Sequence, residues 1–213
     1  MKPDYSLYLV TDRMLMRTKT LGEAVEQAVI GGCTMVQLRE KEILSLDFYV
    51  LASEMKKITD RYGIPLIIND RIDIAMAVGA AGVHIGQKDI PADIARKVIG
   101  KEMLLGVSAV SAAEAVNAAK AGADYLGVGA MFPTGTKPDA GFVSMEELGR
   151  IRKAVDIPIV VIGGISKENA MLFQPMGIDG LAVVSAVIAQ PDIKKSAADL
   201  KSLFFGKEAV NEL

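Results

Sequence analysis

Asp70 and Asp89 stand where short apolar runs give way to polar residues, and donors of several kinds stand at the ends of similar runs. Arg39 and Lys41 follow "MVQL", in a segment that also holds Gln37, Leu38 and Glu40. Asn69 precedes Asp70, Ser108 closes "LLGVS", and Thr134, Gly135, Thr136 and Lys137 follow "YLGVGAMFP". Cations beside neutral donors suit a highly charged, phosphate-type anion, because guanidinium and ammonium groups make charge-assisted hydrogen bonds to its oxygens. Two carboxylates among them, completed by phosphate oxygens and water, are a common way of holding Mg²⁺. Gly163-Gly164 and Val184-Ser185-Ala186 end two further runs. Backbone N–H groups at such turns bind phosphate without a cation. These residues predict two anionic groups, one met by a divalent ion and basic side chains, the other by neutral backbone donors.

The elements that must bring them together are short and regular. Eight apolar runs recur: "SLYLVTD", "MVQLRE", "PLIIND", "GVHIG", "LLGVS", "YLGVGA", "PIVVIGG" and "GLAVVSA". Their β-branched content, without strict alternation, predicts strands buried on both faces. Segments of helical period lie between most of them; Leu21, Ala24, Val25, Ala28 and Val29 make one stripe, and Phe48, Leu51, Met55 and Ile58 another. Thr20 with Glu23, Ser111 with Glu114 and Ser144 with Glu147 have capping-box spacing, and Pro91 suits a first helical turn. A weak repeat, seen in "GGCTMVQL", "GAAGVHIG", "GADYLGVG" and "GIDGLAVV", places glycine at a helix end just before a strand. Such returns imply parallel neighbours. The expected fold is a single α/β domain over 1–213, a (β/α)₈ TIM barrel, with an open doubly wound sheet as the alternative. In such a barrel the strand ends share one rim, and that is where the polar residues gather.

Each residue also has a purely structural reading. Asp70 suits the cap of a helix containing Ile72 and Ile74, and Asp89 the same role before Pro91. Paired glycines suit any strand-to-helix turn. Lys88 and Glu40 fit solvent or a neighbouring charge. His84, the only histidine, falls inside a strand and fits a hydrogen-bonded core position. The concentration of all the donors at one set of run ends favours a site.

Composition limits the rest. In 213 residues, 24 Lys+Arg balance 26 Asp+Glu, so no global basic field is available for nucleic acid or an anionic membrane, and an anion site must be local. The single cysteine, Cys33, excludes an intrachain disulfide framework and reads as a small buried hydrophobe. No apolar run approaches the ~18 residues of a membrane helix, and the N-terminal residues do not read as a signal peptide. A cytoplasmic protein is expected, acting on small molecules; monomer and homo-oligomer are both open.

"YLVTD", "VQLREK", "IINDRIDIAMAVGAAGVHIGQKD", "GVSA", "GVGAMFPTGTK", "IGGI" and "AVVSA", in this order, resemble the thiamine phosphate synthase (thiamine-phosphate pyrophosphorylase) family over about residues 5 to 190. The resemblance implies a transferase of thiamine biosynthesis that couples hydroxymethylpyrimidine diphosphate to hydroxyethylthiazole phosphate, with Mg²⁺ as cofactor. It implies that Gln37, Leu38, Arg39, Glu40, Lys41, Asn69, Ser108 and Lys137 face the pyrimidine diphosphate. Arg39, Lys41, Ser108 and Lys137 would be catalytic, and Asp70 and Asp89 would hold the metal. Thr134, Gly135, Thr136, Gly164, Val184 and Ser185 would cradle the thiazole phosphate. It implies further that the pyrimidine diphosphate ionises first and the thiazole nitrogen captures the resulting cation, chemistry that needs charge stabilisation more than a base. The rim has no histidine or cysteine nucleophile, which fits. Two departures stand out: Lys88 where an acidic residue is frequent, and Ala109 where a polar one is. A thiazole tautomerase on the same scaffold is the alternative enzyme, and a non-catalytic phosphate-binding barrel the alternative outside enzymology.

Overall fold

A computed structural model describes residues 3–135 and 141–206 of the chain. Eight four- to six-residue strands close into a barrel in sequence order, every neighbouring pair parallel. They are β1 (Leu7–Val10), β2 (Met35–Leu38), β3 (Leu66–Asn69), β4 (Gly82–Ile85), β5 (Leu104–Ala109), β6 (Tyr125–Val128), β7 (Ile159–Ile162) and β8 (Gly180–Val183). Helices α1 (Leu21–Ile30), α2 (Ser45–Arg61), α3 (Ile72–Ala77), α4 (Ala92–Ile99), α5 (Ala112–Lys120) and α6 (Met145–Ala154) carry the chain back between successive strands from β1 to β7. The fold is the expected (β/α)₈ barrel. Between β7 and β8 the return is a 3₁₀ helix, Ala170–Met176, whose Pro175 removes a backbone donor that a regular α-helix would use. After β8 come the short α7 (Ser185–Ile188) and then α8 (Ile193–Phe205).

Strand side chains alternate between two cores. Leu7 and Leu9, Val36 and Leu38, Leu66 and Ile68, Val83 and Ile85 point outward and join the helices in one large apolar layer. Tyr8, Met35, Ile67, Tyr125, Val160 and Ala182 fill the barrel itself. The next inward position toward the C-terminal end of the strands is polar on several of them: Gln37 two residues after Met35, Asn69 after Ile67, Ser108 after Gly106. The alternation that fills the barrel floor with apolar side chains therefore delivers polar ones to its mouth.

Helix starts follow the sequence with three adjustments. Thr20 and Glu23 form a complete capping box on α1. Ser111 caps Glu114 N–H at 3.3 Å, but the Glu114 carboxylate accepts from Val110 N–H at 2.7 Å, so that box is not closed on Ser111. Ser144 caps Glu147 N–H at 3.1 Å, but the Glu147 carboxylate turns to α5 and accepts from Ala112 N–H at 2.8 Å, tying two helices together instead of closing its own box. Pro91 precedes α4 as its cap residue, one position earlier than a first-turn proline. No helix among the described residues is long and apolar enough to cross a membrane.

Candidate active site

A cavity of about 370 Å³ opens at the C-terminal ends of the strands. Gln37, Arg39, Lys41, Asn69, Asp89, Ser108, Thr134 and Val184 line it, so loops that are far apart in sequence meet around one space. Thr136 and Lys137 lie outside the described residues.

The acidic centre is built by the turns after β3 and β4. Asp70 has φ 61, the only non-glycine residue among the described ones in the left-handed region, where aspartate is tolerated better than most side chains but still carries strain of about 1–3 kcal/mol. Its N–H is fixed on the His84 carbonyl at 2.8 Å, and Arg71 N–H turns back onto the Asn69 carbonyl at 2.7 Å. Helix α3 has Arg71 as its cap residue and no side-chain cap bond, so Asp70 does not cap it. The Asp70 carboxylate instead takes the Lys41 ammonium at 2.5 Å. Asp89 likewise leaves α4 uncapped; its Oδ2 accepts from Gly86 N–H at 2.7 Å within its own loop. Although Asp89 is exposed, partial desolvation by the surrounding loop raises its carboxyl above the ordinary carboxylate range. The Gly86 N–H opposes this, the adjoining Asp70 carboxyl raises it further, and Lys41 works the other way. The two aspartates thus sense each other directly. Of the two, Asp89 lines the cavity, while Asp70 stands outside its lining, joined to it through cavity-lining Lys41 and through Asp89 itself. Such a pair fits Mg²⁺, which takes one or two protein carboxylates and completes its shell from phosphate and water. No cluster of three or more acidic, histidine or cysteine ligands exists among the described residues.

Around this centre the donors divide by their partners. The Arg39 backbone N–H is anchored on Thr11 Oγ1 at 3.1 Å, while its guanidinium has no ion-pair or hydrogen-bond partner among the described residues and lines the cavity. Asn69 is 8% exposed and its carboxamide likewise has no protein partner there. Ser108 is held twice: Gln87 Nε2 donates to its carbonyl at 2.7 Å, and His84 Nε2 lies 3.0 Å from its hydroxyl.

Not every expected residue faces the cavity. Leu38 is fully buried in the outer layer, because strand alternation turns it away from the interior between inward-facing Gln37 and the rim; its side chain does not border the cavity, which leaves only its backbone to face a substrate there. Glu40 turns aside to a bidentate pair with Arg13, at 2.8 and 2.7 Å. Gly135, Gly164 and Ser185 also stand outside the cavity lining, although Gly163 and Val184 border it. Gly163 and Gly164 both have positive φ, 97° and 66°. A Cβ on Gly164 would approach Phe132 Cβ to 2.7 Å and the Pro133 carbonyl oxygen to 2.8 Å, so the loop after β6 packs directly onto this turn. Asn169 Nδ2 then holds the Gly164 carbonyl at 2.8 Å.

Some lining residues gave no local signal. Tyr8, Thr11 and Val10 border the cavity from β1 and its end, yet sit in a run that reads as plain strand. Lys88 is exposed, as expected, and also borders the cavity mouth. His84 is a hydrogen-bonded core residue and also borders the cavity, since an inward side chain on a barrel strand is both.

The sequence pattern that defines thiamine monophosphate synthase matches residues 7–187, most of the chain and the whole of the barrel strands. The chain belongs to that family. A thiamine-phosphate synthase of Clostridium beijerinckii is 64% identical over 206 residues, 96% of this chain and 99% of that protein. One from Ruminiclostridium cellulolyticum is 61% identical over 97% and 98% of the two chains. Among solved structures, the thiamine phosphate pyrophosphorylase of Pyrococcus furiosus shares 38% of residues and superimposes with a TM-score of 0.88 over 98% of both chains. A thiamine monophosphate synthase is a transferase, so this chain is an enzyme of thiamine phosphate synthesis.

Proposed function

We propose that the enzyme joins hydroxymethylpyrimidine diphosphate to hydroxyethylthiazole phosphate, forming thiamine phosphate and releasing pyrophosphate. The observation that carries this reading is the Asp70–Asp89 pair set beside Lys41 and the Arg39 guanidinium, which has no partner among the described residues, a combination suited to a diphosphate and in excess of what a monophosphate needs. The relatives' shared name supports the same product.

In this reading the bond between the pyrimidinylmethyl carbon and the diphosphate oxygen breaks first, and its electron pair leaves with pyrophosphate. The thiazole nitrogen then supplies the pair that bonds to the pyrimidinylmethyl carbon, becoming the thiazolium nitrogen. No proton has to be removed for that bond to form, so the step needs no general base. Arg39, Lys41 and Lys137 meet the growing negative charge on the departing oxygen, and Asn69 and Ser108 orient the same substrate through neutral hydrogen bonds. Asp70 and Asp89 would hold Mg²⁺, whose contribution when bound is to neutralise the diphosphate. Lys41, now on Asp70, sits where it can exchange that carboxylate for a diphosphate oxygen. The retained thiazole phosphate goes to backbone donors: the first N–H groups of α7, which have no partner inside the helix, and the positive-φ turn of Gly163 and Gly164, with Thr134.

The test is product formation from both substrates, followed by mass spectrometry. Thiamine phosphate and stoichiometric pyrophosphate are expected, and neither forms when one substrate is omitted. Isomerisation of a thiazole phosphate alone, with no coupling, would overturn the reading.

A further inference from the structure

Five polar side chains on five different strands cross the barrel interior in one hydrogen-bonded line. Gln37 Nε2 donates to the Tyr8 hydroxyl at 2.9 Å, and the Tyr8 and Tyr125 hydroxyls are 2.8 Å apart. The Tyr125 hydroxyl is 3.2 Å from His84 Nδ1, and His84 Nε2 is 3.0 Å from Ser108 Oγ. Tyr8 is 1% and Tyr125 0% exposed, and burial raises both phenols far from ionisation, so each keeps its hydrogen. Two glycines make the room. A Cβ on Gly106 would stand 2.4 Å from His84 Nδ1, and one on Gly127 would stand 2.9 Å from His84 Cε1. The space for this line is therefore written into β5 and β6.

Counting hydrogens fixes its polarity. Each phenol has one hydrogen, and a buried hydroxyl left without an acceptor costs more than a made bond returns. With the Gln37 amide donating to Tyr8, the acceptor in the line for the Tyr8 hydrogen is the Tyr125 oxygen. Tyr125 must then give its own hydrogen to His84 Nδ1, which is therefore unprotonated. The imidazole hydrogen lies on Nε2 and is donated to Ser108 Oγ. With its oxygen already engaged, the Ser108 hydroxyl hydrogen turns to the cavity. The opposite order, from Ser108 back to Tyr8, strands the Tyr8 hydrogen against an amide N–H. Rotating the Gln37 amide to present Oε1 reverses every donor at once, so the tautomer of His84 reports the orientation of an amide at the far end of the line.

We propose that His84 is a positioning residue, locked neutral with its hydrogen on Nε2, that makes Ser108 a hydrogen-bond donor toward substrate rather than a base-activated nucleophile. The tautomer follows from the hydrogen bonds of this line, with Gln37 Nε2 facing Tyr8. Only the identity of the acceptor that meets Ser108, an oxygen or nitrogen of the diphosphate-bearing substrate, rests on the proposed function.

Because His84 is the only histidine in the chain, imidazole ¹⁵N labelling gives a single, assignment-free spectrum of the unliganded enzyme. A protonated Nε2 with an unprotonated Nδ1 is expected. An Nδ1–H tautomer, an imidazolium or a mixture overturns the proposal, whatever reaction the enzyme catalyses. Kinetics test the positioning. His84→Leu should lower kcat more than it changes KM, by roughly the 10²-fold typical of one lost donor to developing charge. His84→Gln, whose Nε2–H replaces that of the imidazole, should recover most of that loss. In a Ser108→Ala background, His84→Leu should add little. Additive losses, or a glutamine variant as impaired as the leucine one, would show that His84 does not act through Ser108.

Discussion

Replacing Asp89 with asparagine separates a functional carboxylate from a structural one, because the two roles predict opposite changes. Two carboxylates about 4 Å apart repel by roughly 4 kcal/mol at an effective dielectric constant of about 20. Lys41 at 2.5 Å from Asp70 offsets much of this. Asp89 is exposed, and charge pairs at exposed positions contribute about 0–1 kcal/mol. Asparagine keeps an oxygen for the Gly86 N–H, so the loop bond need not be lost. The variant without added metal should therefore match the wild-type protein or exceed it in stability by no more than about 1 kcal/mol. The pH dependence has a definite sign. With the Asp89 carboxyl raised in the folded state, that state binds more protons than the unfolded one between the ordinary carboxylate range and the raised value, and stability falls as pH rises through this window. The advantage of Asp89→Asn should thus be present at neutral pH and vanish below the ordinary carboxylate range. Activity should move the other way, with synthesis falling on the order of 10²–10³, or about 2.7–4 kcal/mol of transition-state stabilisation. Thermal unfolding across pH and steady-state synthesis with Mg²⁺ read the two quantities. A variant that loses stability and activity together would refute the reasoning and make Asp89 part of the scaffold.

Other substitutions address the remaining assignments. Leu38→Ala should cost about 2–5 kcal/mol in denaturant unfolding, as for other buried leucines, with kcat of the folded fraction unchanged, since its side chain faces the helix layer. Arg39→Gln removes the cavity-lining guanidinium, and loss of a charged hydrogen bond worth about 1.5–3 kcal/mol should lower kcat/KM by roughly 10- to 100-fold. Lys137→Ala should lower the rate by roughly 10²–10³, and a change of only a few fold would make that lysine peripheral.

Much of this architecture was legible because parallel barrel strands are buried on both sides and so read as compact Val/Ile/Leu runs. "PIVVIGG" and "PLIIND" mark β7 and β3 without help from any neighbour. The rim was legible for the same reason: a strand that is apolar throughout makes the first polar residue at its end conspicuous, as with Asn69-Asp70. Which face each strand residue takes was harder to read. Leu38 and Gln37 are adjacent and both buried, and only barrel closure decides that Gln37 looks inward and Leu38 outward. The interior line through Tyr8, Tyr125 and His84 was illegible for a related reason. Tyrosine is a good strand residue anywhere, and its hydroxyl partners lie 117 residues apart in the Tyr8–Tyr125 contact. Glu147 shows the limit of local motifs: its spacing from Ser144 satisfies a capping box, yet a neighbouring helix offered its carboxylate a backbone N–H.

The central claim is that the departing diphosphate is met jointly by a divalent ion on Asp70 and Asp89 and by the basic side chains beside them. Calorimetric titration of the enzyme with pyrophosphate, with Mg²⁺ and then with a chelator in its place, tests that claim most directly. Tight binding that requires Mg²⁺ and disappears in both Asp70→Asn and Asp89→Asn is the predicted result. Pyrophosphate binding that is equal in chelator, or untouched by the two substitutions, would contradict it.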